Sequence, residues 1–233
     1  MTGSGRETTR ESEPRGFLVT FEGIEGTGKT THIKLLTRSL TERGYSVTTT
    51  REPGGSPLGE ALRDILLATE SDPPVPEAEL FLLLASRAQH VRRVLIPELN
   101  AGHVVLCDRF ADASVAYQGV GRNLGKDTVA EGNRVATGGL APDLTFLLDI
   151  DVDEARRRIE HRSLRRRIDP DRLDRETIPF FLAAQAGYRE LARSEPGRFV
   201  VLTTTLPKDA MAEAILAAVL PRLEARRDRG GVS

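Results

Sequence analysis

The apolar run Phe17–Phe21 leads, one residue later, into Gly23-Ile24-Glu25-Gly26-Thr27-Gly28-Lys29-Thr30. These eight residues complete a G-x-x-x-x-G-K-[ST] phosphate-binding loop. The run before it reads as a buried strand. The pattern after it, with Ile33, Leu35, Leu36 and Leu40, reads as a helix opening at Lys29. A strand, a glycine-rich turn and a helix N-terminus together present backbone N–H donors and a positive dipole end to phosphate oxygens. Gly23, Ile24, Glu25, Gly26, Thr27 and Gly28 would wrap the phosphates of ATP. Lys29 would reach the β- and γ-phosphates, and the Thr30 hydroxyl would face Mg²⁺.

Four further apolar runs can be strands: Tyr45–Thr50, His103–Cys107, Leu144–Ile150 and Phe199–Thr203. Helical patterns lie between them at Thr31–Arg43, Leu58–Leu67, Glu77–Asn100, Asp127–Thr137 (with room for a shorter helix before it), Val152–Arg166 and Asp174–Arg193. Met211–Arg226 follows the last strand. This alternation predicts an α/β fold, a five-stranded parallel sheet with helices on both faces. Ligands of such sheets gather at the carboxyl ends of the strands. That rule brings together the phosphate loop, Arg51–Pro57, Asp108–Tyr117 and the arginine-rich stretch after the fourth strand.

Each of these segments carries charge suited to phosphate chemistry. Arg51 stands at a strand end before a Pro-Gly-Gly turn and can hold an acceptor phosphate through its planar fork. Asp108 leaves the tip of a buried strand, where a carboxylate can bind a water on Mg²⁺, and Arg109 beside it can clamp an anion. Glu25 would repel ATP phosphates unless it faces another ligand, and a sugar hydroxyl on the acceptor fits. The stretch Arg162-Ser163-Leu164-Arg165-Arg166-Arg167-Ile168-Asp169-Pro170-Asp171-Arg172 reads as a lid spanning about residues 160–175. Such a lid brings cations to a migrating phosphoryl group and excludes water.

Composition sets the remaining bounds. In 233 residues, hydrophobic content is 39% and net charge −1, as in an ordinary globular domain with no global drive toward nucleic acid or membrane. The single cysteine, Cys107, excludes an intramolecular disulfide, fits a reducing cytoplasm and sits in an apolar run. His32, His90, His103 and His161 have no metal-ligand spacing. Residues 1–15 and 226–233 read as disordered tails around one domain, 16–225.

Together, the motifs resemble the thymidylate kinases of the bacterial type, over nearly the whole stretch from Phe17 to about Leu223. The resemblance rests on Phe-Glu-Gly-Ile-Glu-Gly-Thr-Gly-Lys-Thr-Thr (21–31), Thr-Arg-Glu-Pro-Gly-Gly-Ser-Pro-Leu (50–58) and Ser-Arg-Ala-Gln-His-Val (86–91). It continues in Asp-Arg-Phe (108–110), Ala-Tyr-Gln-Gly (116–119), Pro-Asp-Leu-Thr-Phe-Leu-Leu-Asp (142–149) and Asp-Arg-Leu-Asp-Arg-Glu (171–176). It implies a three-layer phosphate-loop NTPase fold with a small arginine-rich lid, a homodimer, and transfer of the ATP γ-phosphoryl group to dTMP with Mg²⁺. Glu25 would then meet the 3′-hydroxyl of dTMP. Arg109, helped by Arg51, would hold its phosphate, and Arg87 the thymine carbonyl. Ser114 would sit at the base edge, and Tyr117 under the sugar, where a 2′-hydroxyl would clash. Arg158 would lie against adenine. Arg162 and Arg172 would reach the phosphates, and Asp171 and Asp174 match acidic positions near the phosphates and metal.

Three positions depart from or vary within the pattern. Leu83 stands where relatives place a phenylalanine to stack on thymine, and Ala113 replaces a hydroxyl common near the base. Gly26 stands where some relatives carry an arginine. Leu83 leaves open a kinase for another deoxynucleoside monophosphate, and an inactive nucleotide-binding paralogue would share the fold. No Asn-Lys-x-Asp motif reads guanine, which argues against a signalling GTPase.

Overall fold

The five apolar runs become five parallel strands in a computed structural model that describes residues 16–69, 72–166 and 169–230, the side chains of 166 and 228–230 excepted. The strands are β1 (Phe17–Glu22), β2 (Val47–Arg51), β3 (Val104–Asp108), β4 (Leu144–Asp149) and β5 (Phe199–Thr203), in the order β2-β3-β1-β4-β5. β1 is central, pairing Phe17 with Val104 on one side and Val19 with Leu144 on the other. The chain reverses direction across the sheet at β1, so the phosphate loop leaves from the switch point where such sheets bind ligands.

The helices are α1 (Lys29–Thr41), α2 (Pro57–Leu67), α3 (Pro76–His90), α4 (Ile96–Asn100), α5 (Ala111–Ser114), α6 (Lys126–Thr137), α7 (Val152–Arg166), α8 (Ile178–Ser194) and α9 (Lys208–Gly230). Both faces of the sheet are covered. Val19, Phe21, Leu106 and Phe146 pack on one face against Ile33, Leu36 and Leu40 of α1 and Met211, Ile215 and Val219 of α9. The three- and four-residue steps mark one stripe on each helix. Leu18, Val105 and Cys107 face the other way, onto Val91, Leu95 and Leu99. Leu147 faces Phe181, Ala184 and Tyr188 of α8. Burial on both faces explains why these strands read as continuous apolar runs.

Helix limits differ from the sequence reading most at three places. The single helix expected over Glu77–Asn100 contains a π-helical turn, Val91–Leu95, between α3 and α4. Pro97 has no N–H to return to the preceding turn, and a wider turn absorbs the missing bond. α8 begins at Ile178, not Asp174, because Thr177 caps it, its hydroxyl accepting from the Phe180 N–H at 3.3 Å, with Pro179 in the first turn. α9 runs to Gly230, past the expected end at Arg226 and into the segment read as a tail. The N-terminal tail, residues 231–233, and Arg167 and Ile168 of the lid lie outside the described residues.

Candidate active site

Gly23 and Gly26 have φ of 128° and 75°, a region that side chains rarely adopt. Space is as strict as the backbone. A Cβ on Gly26 would stand 2.7 Å from the Ala155 carbonyl oxygen at the start of α7. A side chain at Gly26 would require the loop or α7 to shift.

Lys29, buried under the loop, donates from Nζ to the carbonyls of Gly23 (3.0 Å) and Ile24 (2.9 Å). Burial, reinforced by Arg109, pushes its pKa down to about 8, while Asp108, Glu25 and Glu22 oppose the shift. The Thr30 hydroxyl donates to Asp108 Oδ2 at 2.8 Å. A hydroxyl and a carboxylate side by side at the loop mouth form an oxygen donor set suited to Mg²⁺, which keeps waters and takes its remaining ligands from phosphates. No cluster of three His, Cys, Asp or Glu side chains forms a self-sufficient metal cage among the described residues. Thr30 and Asp108 supply the oxygen donors that fit a metal carried by a nucleotide.

Beside the loop lies a cavity lined by Glu25, Leu83, Arg87, Arg109, Ser114 and Tyr117, together with Glu52, Pro53, Phe110, Ala113, Gln118 and Leu173. Six of these linings are sequence-predicted substrate residues. Arg109 is the hub. Its φ is 70°, which costs a non-glycine residue roughly 1–3 kcal/mol. The turn carries its guanidinium under the loop, where Nη1 donates to the Gly23 carbonyl (2.9 Å) and the Tyr188 hydroxyl (3.0 Å). Nη2 donates to Glu25 (2.6 Å) and the Tyr117 hydroxyl (3.2 Å). Tyr117 in turn donates to the other Glu25 oxygen at 2.7 Å. Tyr188 donates to Glu22 at 2.8 Å, and Glu22 also accepts from the Phe110 N–H at 2.7 Å. Glu22 is fully buried, and its pKa is pushed up to about 8, by burial first and by Asp112 second, against the pull of Arg109 and its two hydrogen bonds.

Arg87, only 2% exposed, donates from Nε to Glu52 (2.7 Å), from Nη1 to Ser114 (3.0 Å) and Asn133 (2.5 Å), and from Nη2 to the Phe110 carbonyl (3.1 Å). A guanidinium has five N–H groups, so one on Nη2 remains for a ligand. His90 braces the other Glu52 oxygen at 2.9 Å and meets the Thr50 hydroxyl at 2.7 Å. Leu83 reaches the cavity, while Phe81 leaves α3 in another direction and is 68% exposed. The buried Cys107 thiol donates to the Arg109 carbonyl at 3.0 Å, and burial raises its pKa well above the usual range.

Across the loop, Arg158 of α7 approaches the Gly26 carbonyl (3.5 Å) and the Thr204 carbonyl (3.4 Å) while paired with Glu154 (2.9 Å). A broad groove lined by Arg158, Arg157, Asp151 and Thr203–Leu206 opens there. In the lid, Arg162 Nη2 donates to both oxygens of Asp174, at 2.9 and 2.7 Å. Asp171 accepts from the Asp174 N–H at 2.8 Å.

Two arginines stand apart from their expected places. Arg51 does not line the cavity; it donates to Glu60 at 2.7 Å from a half-exposed position. Glu60 also accepts from the Gly55 N–H at 2.9 Å, so it draws Arg51 onto the turn that follows β2. Arg172 is held between α2 and α3, its Nε donating to the Leu66 carbonyl at 2.8 Å and its Nη2 lying 2.6 Å from Glu79. A buried acid captures it. Tyr188 and Thr204–Leu206 were not read as site residues from the sequence. Glu22, Glu52, Gln118 and Leu173 lay inside the family motifs without an assigned place. Only the packing of α8 on β4, which brings the Tyr188 hydroxyl to Glu22, reveals Tyr188.

Comparison with known proteins agrees with this geometry. The family model for thymidylate kinase matches residues 21–215. A thymidylate kinase of Pelobacter propionicus is 46% identical over 209 residues, covering 88% of this chain and 94% of its own. One from Geobacter sulfurreducens is 44% identical over 215 residues, covering 91% of this chain and 100% of its own. The crystal structure of thymidylate kinase from Ehrlichia chaffeensis superposes with a TM-score of 0.70 at 28% identity, covering 88% of this chain and 98% of that one. With a phosphate loop at the central strand, a cavity organised by Arg109 beside it and matches along nearly its whole length, the chain belongs to the thymidylate kinase family.

Proposed function

We propose that the protein transfers the γ-phosphoryl group of ATP to dTMP, giving dTDP and ADP. The observation that carries this reading is the cavity in which Glu25, Arg109 and Tyr117 converge beside the Lys29 loop. An anionic phosphate meets Arg109. The 3′-hydroxyl meets Glu25. The Tyr117 ring closes the space a 2′-hydroxyl would need. The free Arg87 N–H reaches a thymine carbonyl, Ser114 lies at the base edge, and Leu83 gives the base an apolar wall. The other deoxynucleoside monophosphates lack a comparable observation in their favour.

The acceptor oxygen is already anionic, so no strong general base is needed. Catalysis is alignment plus neutralisation of charge on the migrating group. Arg109 aligns the acceptor. Lys29 and Arg162 would neutralise the equatorial oxygens, Arg158 would lie against adenine, and Thr30 and Asp108 would hold Mg²⁺. Mg²⁺, when bound with ATP, supplies neutralisation of the phosphate charge. Incubation with Mg·ATP and dTMP should yield dTDP and ADP in equal amounts by chromatography. ADP without dTDP, or neither, refutes the transfer.

We place the enzyme in the cytoplasm and assign it a homodimeric state. Supporting the first, no helix of the described residues is long and apolar enough to cross a membrane. Supporting the second, Phe81 on α3 and Val135 on α6 are 68% and 71% exposed, on two helices that pack together. Sedimentation of wild type and Phe81→Glu tests it: a monomeric wild type contradicts the assignment.

A further inference from the structure

Glu79 is an acid of α3 that no step at the nucleotide requires. It is 1% exposed, and a buried carboxylate is tolerated only with close partners. Gln118 donates to it at 2.7 Å, and Arg122 donates from Nε and Nη2 at 3.2 and 3.1 Å. Arg172 Nη2 lies 2.6 Å away; its N–H groups are not aligned on the carboxylate, so the attraction is that of an ion pair. Burial alone would raise the pKa of Glu79, but Arg122, Gln118 and Arg172 outweigh it and hold the group below its usual value. Arg122 also pairs with Glu176 and lies 4.3 Å over the Phe180 ring.

These contacts tie the returning limb of the lid to the body of the protein. Arg172 is further fixed by the Leu66 carbonyl and by its own N–H on the Leu67 carbonyl at 3.3 Å. The same cluster borders the acceptor cavity. Leu83 follows Glu79 by one turn on the same face of α3, and Gln118 and Leu173 line the cavity with it. Two residues beyond Arg172, Asp174 holds Arg162. A short path therefore runs from the cavity wall through Glu79, Arg172 and Asp174 to an arginine of the lid.

We infer that Glu79 is a positioning residue, a latch seating the returning limb of the lid against the acceptor cavity, so that filling the cavity and placing Arg162 are coupled. The inference rests on the acceptor cavity and lid as read above. Arg172 serves the latch, and its effect on phosphoryl transfer is indirect.

Glu79→Gln keeps the shape and removes the charge. In the full chain with Mg·ATP and dTMP, kcat should fall about tenfold and the KM for dTMP rise, with the KM for ATP within about twofold. Amide exchange of residues 172–177 should quicken while β1 and β4 keep their protection. Arg172→Gln should behave alike, and the double variant should lose no more than the worse single variant. Unchanged exchange at 172–177 in folded Glu79→Gln overturns the latch, and so do losses that multiply in the double variant. Exchange needs no turnover, which separates the two readings. If wild type fails to phosphorylate dTMP but Glu79→Gln still loosens the limb, the latch stands and the acceptor assignment falls.

Discussion

Arg109 and Glu25 form a 2.6 Å ion pair at the boundary between the phosphate loop and the cavity beside it. Both side chains are largely buried, and Tyr117 bonds to each of them. Side-chain order is thus established before a phosphate arrives. Burial disfavours the arginine's charge, but Tyr117, Glu25, Tyr188 and Glu22 together hold its pKa well above the usual value. Its Nη groups are engaged by Gly23, Tyr188, Glu25 and Tyr117, so a pre-aligned side chain offers a phosphate its charge and the Nε–H.

Arg109→Ala should therefore lower kcat/KM for dTMP by about two orders of magnitude or more, the scale of one lost transition-state donor. Turnover near that of wild type would remove Arg109 from the mechanism. A circular dichroism spectrum of the variant checks that the freed Glu25 has not unfolded the loop.

Lys29→Ala should cost a similar factor. Its Nζ sits 2.9 Å from the Ile24 carbonyl, inside the loop that would hold the β- and γ-phosphates. Steady-state kinetics decides, and a loss under about fivefold contradicts the role.

Leu83→Phe should lower the KM for dTMP by up to about tenfold, because stacking adds about 0.5–1.5 kcal/mol beyond burial. Leu83 lines the cavity, so a ring there faces the ligand. An unchanged or raised KM defeats the stacking argument.

Glu22 gives a pH signature. Its folded pKa of about 8 lies above the ordinary 4.5, so between these values the folded state holds more protons than the unfolded state. Stability contributed by Glu22 is then greatest below about pH 4.5 and declines as pH rises toward 8. Glu22→Gln cannot titrate. The Tm of wild type relative to Glu22→Gln should fall progressively from pH 4.5 to 8. A difference independent of pH would show that Glu22 keeps an ordinary acidity.

Phe17–Phe21 and Phe199–Thr203 could be read as strands because both are apolar and bounded by turns, and the sheet buries one on both faces and leaves the other at an edge. Phosphate-loop residues were legible since their chemistry is local: each glycine and Lys29 acts within a few residues of its neighbours. Arg109 was legible for the same reason, at the tip of β3. Arg172 was not. A count of arginines cannot tell which one a buried Glu79 will capture, and Glu79 lies 93 residues earlier in the chain. Tyr188 was silent because its hydroxyl meets Glu22 only after α8 packs on the sheet.

The most direct test is coupled ADP release with Mg·ATP and, in turn, dTMP, dUMP, dCMP, dGMP, dAMP and UMP. The predicted result is the highest kcat/KM with dTMP, with Leu83 a tolerated departure. Preference for any other acceptor, or no turnover with any despite ATP binding, would contradict the account.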